Sequence, residues 1–399
     1  MKLKLHTQIL IGIAVGVLAG ILFQEKAEFV RPIGTLFIRA LRMMIVPLVF
    51  SSLVMAIVSL GNIKQLGKLG ARTFLYYFST TSLAVVVGLL CVNLLQPGLN
   101  AQFSVASPSV PSGVQNEPVS IGTFFSYIIP DNILKAAVEG EILAVIFFSM
   151  LFGAALIILG RKGEPLVKMI DGLDQVMLQI TDWIMKLAPF GVAALLASLI
   201  GRMGVGAIKP LALFMLTVLI GLAIHVCITL FSLLVSVGRY SPVTLIQRVF
   251  PALATAFSTA SSLATLPVTM ECLEKNVGVS GKVTGFVAPL GASVGRDGTA
   301  LYEAVSAVFI AQVFGIELSL VQQVIILLTA TLTSIGAAGI PGASLVTIVI
   351  VLRSVNLPLE GIGLILAVDR LLDMFRTTVN VFGHNCGTAI IARLEGEKF

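Results

Sequence analysis

Apolar runs recur along this chain from residue 7 to residue 394, long enough for helical spans of about 20 residues. In hydrocarbon every backbone N–H and C=O must find a partner within the chain, and a helix supplies those partners locally. Of the 399 residues 57% are hydrophobic and 12% charged, against about 25% charged in a soluble domain. The sequence therefore reads as an all-α integral membrane protein embedded in a lipid bilayer. Its net charge of +6 reads as topology rather than nucleic-acid binding, because no basic cluster is interleaved with aromatics. Basic residues gather at Lys2 and Lys4, in 61–72, at Arg161 and Lys162, and at Arg239 and Arg248, whereas 97–120 has none. The positive-inside rule then predicts a cytoplasmic N-terminus and an external 97–120, with Arg202 and Lys209 running against the pattern.

Conventional spans are expected near 7–23, 35–60, 73–95, 141–160, 168–200 and 207–238, with a Pro-, Ser- and Gly-rich external loop at 97–120. The first run is too long for a signal-peptide core and reads as a retained span. Four scattered cysteines (Cys91, Cys227, Cys272, Cys386) suggest neither a metal site nor a disulfide framework. His6 and His225 read as packing residues. After residue 240 the pattern changes. Segments 241–275 and 320–356 are interrupted by STASSLATLP (258–267) and SIGAAGIPGAS (334–344), where Gly, Pro and Ser loosen the helical ladder. Backbone leaves the helix at membrane depth only where protein or a cavity surrounds it. Paired broken segments are a sequence pointer to a transporter's binding site. Each is followed by a charge-bearing helix (283–315, broken at GRDG, and 357–394), so the order reads as an internal repeat. The plainer reading is two ordinary spans with glycine packing faces.

The last span, AVDRLLDMFRTTVNVFGHNCGTAIIA, has a polar face. At about 100° per residue, and relative to Asp369, Asp373 falls near 40°, Arg376 near −20°, Thr377 near 80°, Asn380 near 20° and His384 near 60°. These side chains share an arc of about 100° that cannot face lipid. A guanidinium matches a carboxylate, an aspartate an ammonium group, and an asparagine amide a second carboxylate. That set suits an acidic α-amino acid, although Arg376 and Asp373 could simply neutralise each other as an i, i+3 pair. Charges also stand inside GRDGTALYEAVSA (295–307), at Arg296, Asp297 and Glu303. Each costs about 2.5–3.5 kcal/mol at the bilayer centre unless it is partnered.

With SSLATLP, DGTALYEAV, SIGAAGIPGA and DMFRTTVNVFG in this order, the chain resembles the glutamate transporter family, the dicarboxylate/amino acid:cation symporters. The resemblance runs through most of the chain and is strongest over 250–394. It implies eight transmembrane helices plus two re-entrant helical hairpins, with inverted repeats, in an elevator-type homotrimer of a bacterial inner membrane. Spans 1 and 2 (1–70) with spans 4 and 5 would form the scaffold. Span 3 (71–96), span 6 and residues 239–399 would form the transport domain, comprising hairpin 1 (241–275), span 7 (283–315), hairpin 2 (320–356) and span 8 (357–394). It also implies that Arg376 binds the substrate side-chain carboxylate and Asp373 the α-amino group. Asn380 would hold the α-carboxylate together with Ser262 and its neighbour Ser261, Thr299 and Thr377 would line the site, and Gly339–Ala343, with Gly342, would form the gate.

Departures from the family pattern bear on coupling. Sodium-coupled relatives carry NMDGT where this chain has GRDGT, so Gly295 and Arg296 replace an asparagine and a methionine. His384 replaces an aspartate that ligates the first sodium ion, and that site is expected to be lost. Tyr77, Thr80 and Thr81, with Asp297 and Asp369, remain as cation-site elements. The expectation is that Arg296 acts as a tethered cation neutralising Asp297 or Asp369; the rival is that it turns aside and a weaker sodium site persists. Glu303 stands where proton-coupled members carry a glutamate, and a carboxyl group held out of water favours its neutral form. It is expected to carry the proton, with His384 a second titratable candidate. The sequence thus predicts a proton-coupled, sodium-independent symporter of L-glutamate and/or L-aspartate with no cofactor. The rivals are a sodium-coupled form, a carrier of neutral amino acids or plain dicarboxylates, and an anion channel. No Ser-His, Asp-Asp or metal-ligand set stands at catalytic spacing, which argues against an enzyme.

Overall fold

The computed structural model describes residues 5–66, 68–99, 129–139, 142–203, 208–336 and 344–399. Every regular element among them is helical. In chain order they are α1 (Leu5–Phe23), α2 (Arg31–Leu66), α3 (Lys68–Leu95), the short α4 (Ile133–Glu139), α5 (Ile142–Leu159), α6 (Glu164–Lys186), α7 (Ala188–Met203) and α8 (Ile208–Ile224). A π turn, His225–Leu230, leads into α9 (Phe231–Ser236), followed by α10 (Pro242–Thr259), α11 (Ser262–Glu271), α12 (Gly281–Val294), α13 (Asp297–Val313), α14 (Leu320–Gly336), α15 (Ser344–Ser354) and α16 (Ile362–Leu394).

By length and composition, three stretches among the described residues can cross a membrane: Lys68–Leu95, Ala144–Lys162 and Lys209–Ser236. A fourth is added if Glu164–Ile184 and Ala188–Ser198 count as one bent span. The single helix expected over 168–200 is therefore two helices, bent by 53°. The cause is local, because Pro189 lacks the N–H that would continue the ladder of α6 into α7. Most of the expected external loop (100–120) lies outside the described residues, as do Lys2, Lys4 and the second-hairpin tip 337–343 with Gly339 and Gly342.

The helices fall into two packing groups. In one, α1 lies along α7, and α2 packs against α5, α6 and α7. In the other, α13 is buried on every side, from Asp297 through Ala311, and is wrapped by α3, α8, α14, α15 and α16. A helix apolar over most of its surface belongs at the centre of a large core, and α13 holds that place. The groups meet where α2 touches α14 and α15 and where α7 touches α16.

Both interrupted segments form helix pairs. α10 starts at Ser241, whose side chain accepts from Thr244 N at 3.4 Å, with Pro242 in the first turn. It ends at Ala260, which takes the left-handed conformation at φ 50°. The chain then turns into α11, capped by Ser261 Oγ accepting from Ala264 N at 3.2 Å. The two helices pack together, as do α14 and α15. Span 7 is broken where the sequence suggested: Gly295 and Arg296 leave helical geometry between α12 and α13.

In the first group α1 approaches α7 closely because α1 presents glycine. A Cβ on Gly16 would lie 2.6 Å from the Ala193 carbonyl oxygen, so small residues set this distance. Gly16→Leu is expected to destabilise the protein by about 1–3 kcal/mol through overpacking. It should lower the thermal unfolding midpoint in detergent, whereas Val15→Leu on the exposed side of the same helix leaves it unchanged.

Candidate functional site

The polar arc of α16 is buried: Asp369, Asp373, Arg376, Thr377, Asn380 and His384 all lie inside the core, with Arg376 at 0% exposure. Arg376 Nη2 donates to Asp369 Oδ1, Asp373 Oδ1 and Ser344 Oγ, each at 3.0 Å. Its guanidinium lies 3.8 Å above the centre of the Tyr302 ring, a cation–π contact that is strengthened away from water. Arg376 thus does pair with Asp373, as the plainer sequence reading allowed. Yet its Nε and Nη1 are buried and meet no hydrogen-bond acceptor among the described residues. A guanidinium with only one nitrogen engaged keeps most of its planar fork free for another partner. Asp373 also accepts from Arg370 Nη1 at 3.3 Å.

Beside this cluster, the backbone of α13 comes close to that of α16. A Cβ on Gly298 would lie 2.7 Å from the Arg376 carbonyl oxygen, so glycine is what lets the broken segment reach the polar face. Asn380 bridges the two helices, accepting from Gly298 N at 2.8 Å and donating to Thr299 Oγ1 at 3.1 Å. Ser261 and Ser262 are buried at the start of α11, which packs against α16.

Glu303 is wholly buried on α13, and both of its oxygens are engaged. Thr333 Oγ1 on α14 donates at 3.2 Å, and Thr347 Oγ1 on α15 donates to the other oxygen. One carboxyl group therefore joins α14 and α15. Arg296 forms no ion pair with Glu303 among the described residues.

The expected tethered cation is not where it was placed. Arg296 is buried, but its Nη2 donates to the Ala292 carbonyl at 3.0 Å, one turn back, and it reaches neither Asp297 nor Asp369. Asp369 pairs with Arg376 instead. Asp297 accepts from Thr81 Oγ1 at 2.7 Å and Thr80 Oγ1 at 3.2 Å on one oxygen. On the other it faces His225 Nε2 at 3.1 Å. Hydroxyl and imidazole donors thus meet the carboxylate, while the guanidinium turns back onto the end of α12. Tyr77, grouped with these threonines in the sequence, sends its hydroxyl to the Val287 carbonyl at 3.1 Å. His384 Nε2 lies 2.7 Å from the Gly295 carbonyl, and its ring stands edge-on to Tyr77.

Sequence reasoning missed His225, Tyr302, Thr333, Ser344 and Thr347. An ionisable residue within an apolar span is a functional candidate by default, and applying that rule to His225 would have found it. The threonines carry no comparable signal, since only the folded hairpin brings them to Glu303.

A family model, the sodium:dicarboxylate symporter family, matches residues 5–394. Among similar proteins, the proton/sodium-glutamate symport protein of Geobacillus stearothermophilus is 37% identical over 99% of this chain and 96% of its own length. The proton/glutamate-aspartate symporter of Escherichia coli (strain K12) is 37% identical over 99% of this chain and 93% of its own. The C4-dicarboxylate transport protein of Bacillus subtilis (strain 168) is 36% identical over 99% and 94%. A helical chain matched almost end to end, with a small set of charges buried in an apolar core, belongs to the sodium:dicarboxylate symporter family and is a membrane transporter rather than an enzyme.

Proposed function

We propose that this transporter carries L-glutamate and/or L-aspartate together with protons and does not need sodium. The observation that carries this reading is the unfinished coordination of Arg376. It is fully buried, with Nε and Nη1 unpartnered among the described residues and two aspartates on its remaining nitrogen. A substrate carboxylate takes the free edge of the guanidinium as a planar pair of acceptors, and the α-ammonium group takes Asp373. Asn380 swings its amide from Thr299 to the α-carboxylate, joined by Ser261 and Ser262, with Thr377 on the same face. Glutamate and glutamate-aspartate stand in the names of two relatives, and C4-dicarboxylate in that of a third at nearly the same identity. Asp373 favours the amino acid, because a plain dicarboxylate brings no cation for it.

Glu303 carries the coupling proton. Ionised, it accepts from both threonines of the second hairpin; on gaining a proton it must donate from one oxygen, which changes what that hairpin holds. Hairpin 2 is the gate. The group built around α13 moves as an elevator against the group built on α1, α2, α5, α6 and α7, in each subunit of a homotrimer. Loss of the first sodium site is supported by Gly295, which has no side chain to ligate, and by His384, whose Nε2 is engaged on the Gly295 carbonyl. The rival, a sodium-coupled symporter of the same substrates, draws on the oxygens of Thr80, Thr81 and Asp297, which still stand together.

Competition against exchange of labelled aspartate in proteoliposomes tests the substrate assignment. Glutamate and unlabelled aspartate should compete well, succinate at least about tenfold more weakly, since it lacks one charged contact of about 1.5–3 kcal/mol. Equal competition by succinate and aspartate would contradict the assignment. Arg376→Ala should weaken aspartate binding by about a hundredfold, the equivalent of about 3 kcal/mol for a buried charge-assisted pair. In Glu303→Gln, exchange of internal for external aspartate should persist while accumulation against a gradient is lost. Loss of both together would show that Glu303 serves structure instead of coupling.

A further inference from the structure

The sixth span bears a buried imidazole that the transport reading leaves unused. His225 is 0% exposed, and its Nε2 lies 3.1 Å from Asp297 Oδ2. Its Nδ1 is buried with no partner among the described residues. A nitrogen facing a carboxylate oxygen must carry the hydrogen. Nε2–H therefore donates to Asp297. His225 also opens the π turn His225–Leu230, and such turns inside α-helices are frequent at functional sites.

Asp297 is the first residue of α13, directly after the break at Gly295 and Arg296. Thr80 and Thr81 approach one oxygen from α3, and His225 approaches the other from the end of α8. The two sides fix both the position and the rotation of the carboxylate. Of the other titratable groups near the break, Arg296 is turned onto the Ala292 carbonyl and His384 onto the Gly295 carbonyl. Tyr76 and Tyr77 donate to the Gly383 and Val287 carbonyls. His225 is thus the one charged or titratable side chain among the described residues that hydrogen-bonds to Asp297.

Resting on the transport reading above, we infer that His225 is a positioning residue of the coupling centre: its Nε2–H pins Asp297 and thereby the broken start of α13, which carries Thr299 to the substrate. It acts as a fixed donor and does not carry a proton through the cycle. A glutamine amide nitrogen reaches as far from the backbone as imidazole Nε2 and donates without titrating. A leucine fills the space and donates nothing.

The test is exchange of labelled aspartate in proteoliposomes by wild type, His225→Leu and His225→Gln over a pH series, with monodispersity of each extracted protein as the folding check. Wild-type exchange tests the transport reading; the variants bear on His225 alone. His225→Leu should lose about 10- to 100-fold in rate, in keeping with one hydrogen bond to a buried charge. His225→Gln should recover to within about fivefold of wild type, as expected when a donor is replaced by a donor, and should keep the wild-type pH profile. Three results would overturn the inference: His225→Gln as inactive as His225→Leu although folded, His225→Gln active with its pH dependence flattened, or His225→Leu at the wild-type rate. If His225→Leu does not fold, the rate and pH profile of His225→Gln decide between the same alternatives.

Discussion

An ionised carboxylate inside an apolar core must be met by donors or countercharge, because removing it from water is otherwise prohibitive. Four acidic side chains stand under that constraint here, and their partners dictate how the core is assembled. Asp369 and Asp373 share Arg376 along one helix face. Glu303 draws in α14 and α15. Asp297 draws together α3, the end of α8 and the start of α13. The apolar side chains around them supply density and burial, while the polar pairs fix which helix lies against which. Glu303 and Asp297 thus each mark a junction of helices, and a ligand or proton there would disturb that junction.

The helix break at Gly295 and Arg296 follows from the same constraint. An unbroken helix would keep the first N–H groups of α13 in its own hydrogen-bond ladder. Broken, the segment presents the N–H of Gly298 to Asn380, and the missing side chain of Gly298 allows the backbones of α13 and α16 to approach. A helix start also favours the negative charge of Asp297 through its dipole. Sequence, local geometry and electrostatics therefore agree at this point.

Much of this was readable before the fold was known. The 3.6-residue periodicity put the polar residues of α16 on one arc, and all of them are buried together. The STASSLATLP and GRDG interruptions marked where helices stop. Partner choice among charges was not readable, because periodicity orders side chains around one helix but not across several. Arg296 was expected on Asp297 or Asp369 by chemical complementarity. Its backbone direction at the break instead sends it to a carbonyl in the last turn of α12, and hydroxyl and imidazole donors take its place. His225 reads as packing in the sequence because its partner lies 72 residues away on another helix. The bend after α6 was visible in Pro189 and was passed over because the apolar run continued through it.

The family name couples dicarboxylates to sodium, and printed names of relatives include protons, sodium or neither. The central claim is that Glu303 makes the proton the coupling ion of this chain. Its most direct test is uptake of labelled aspartate by the wild-type protein in proteoliposomes, with an inward proton gradient and an inward sodium gradient imposed one at a time. Accumulation under the proton gradient that is indifferent to sodium is the expected result. Accumulation that requires sodium and ignores the proton gradient would contradict the claim and return Thr80, Thr81 and Asp297 to a working sodium site.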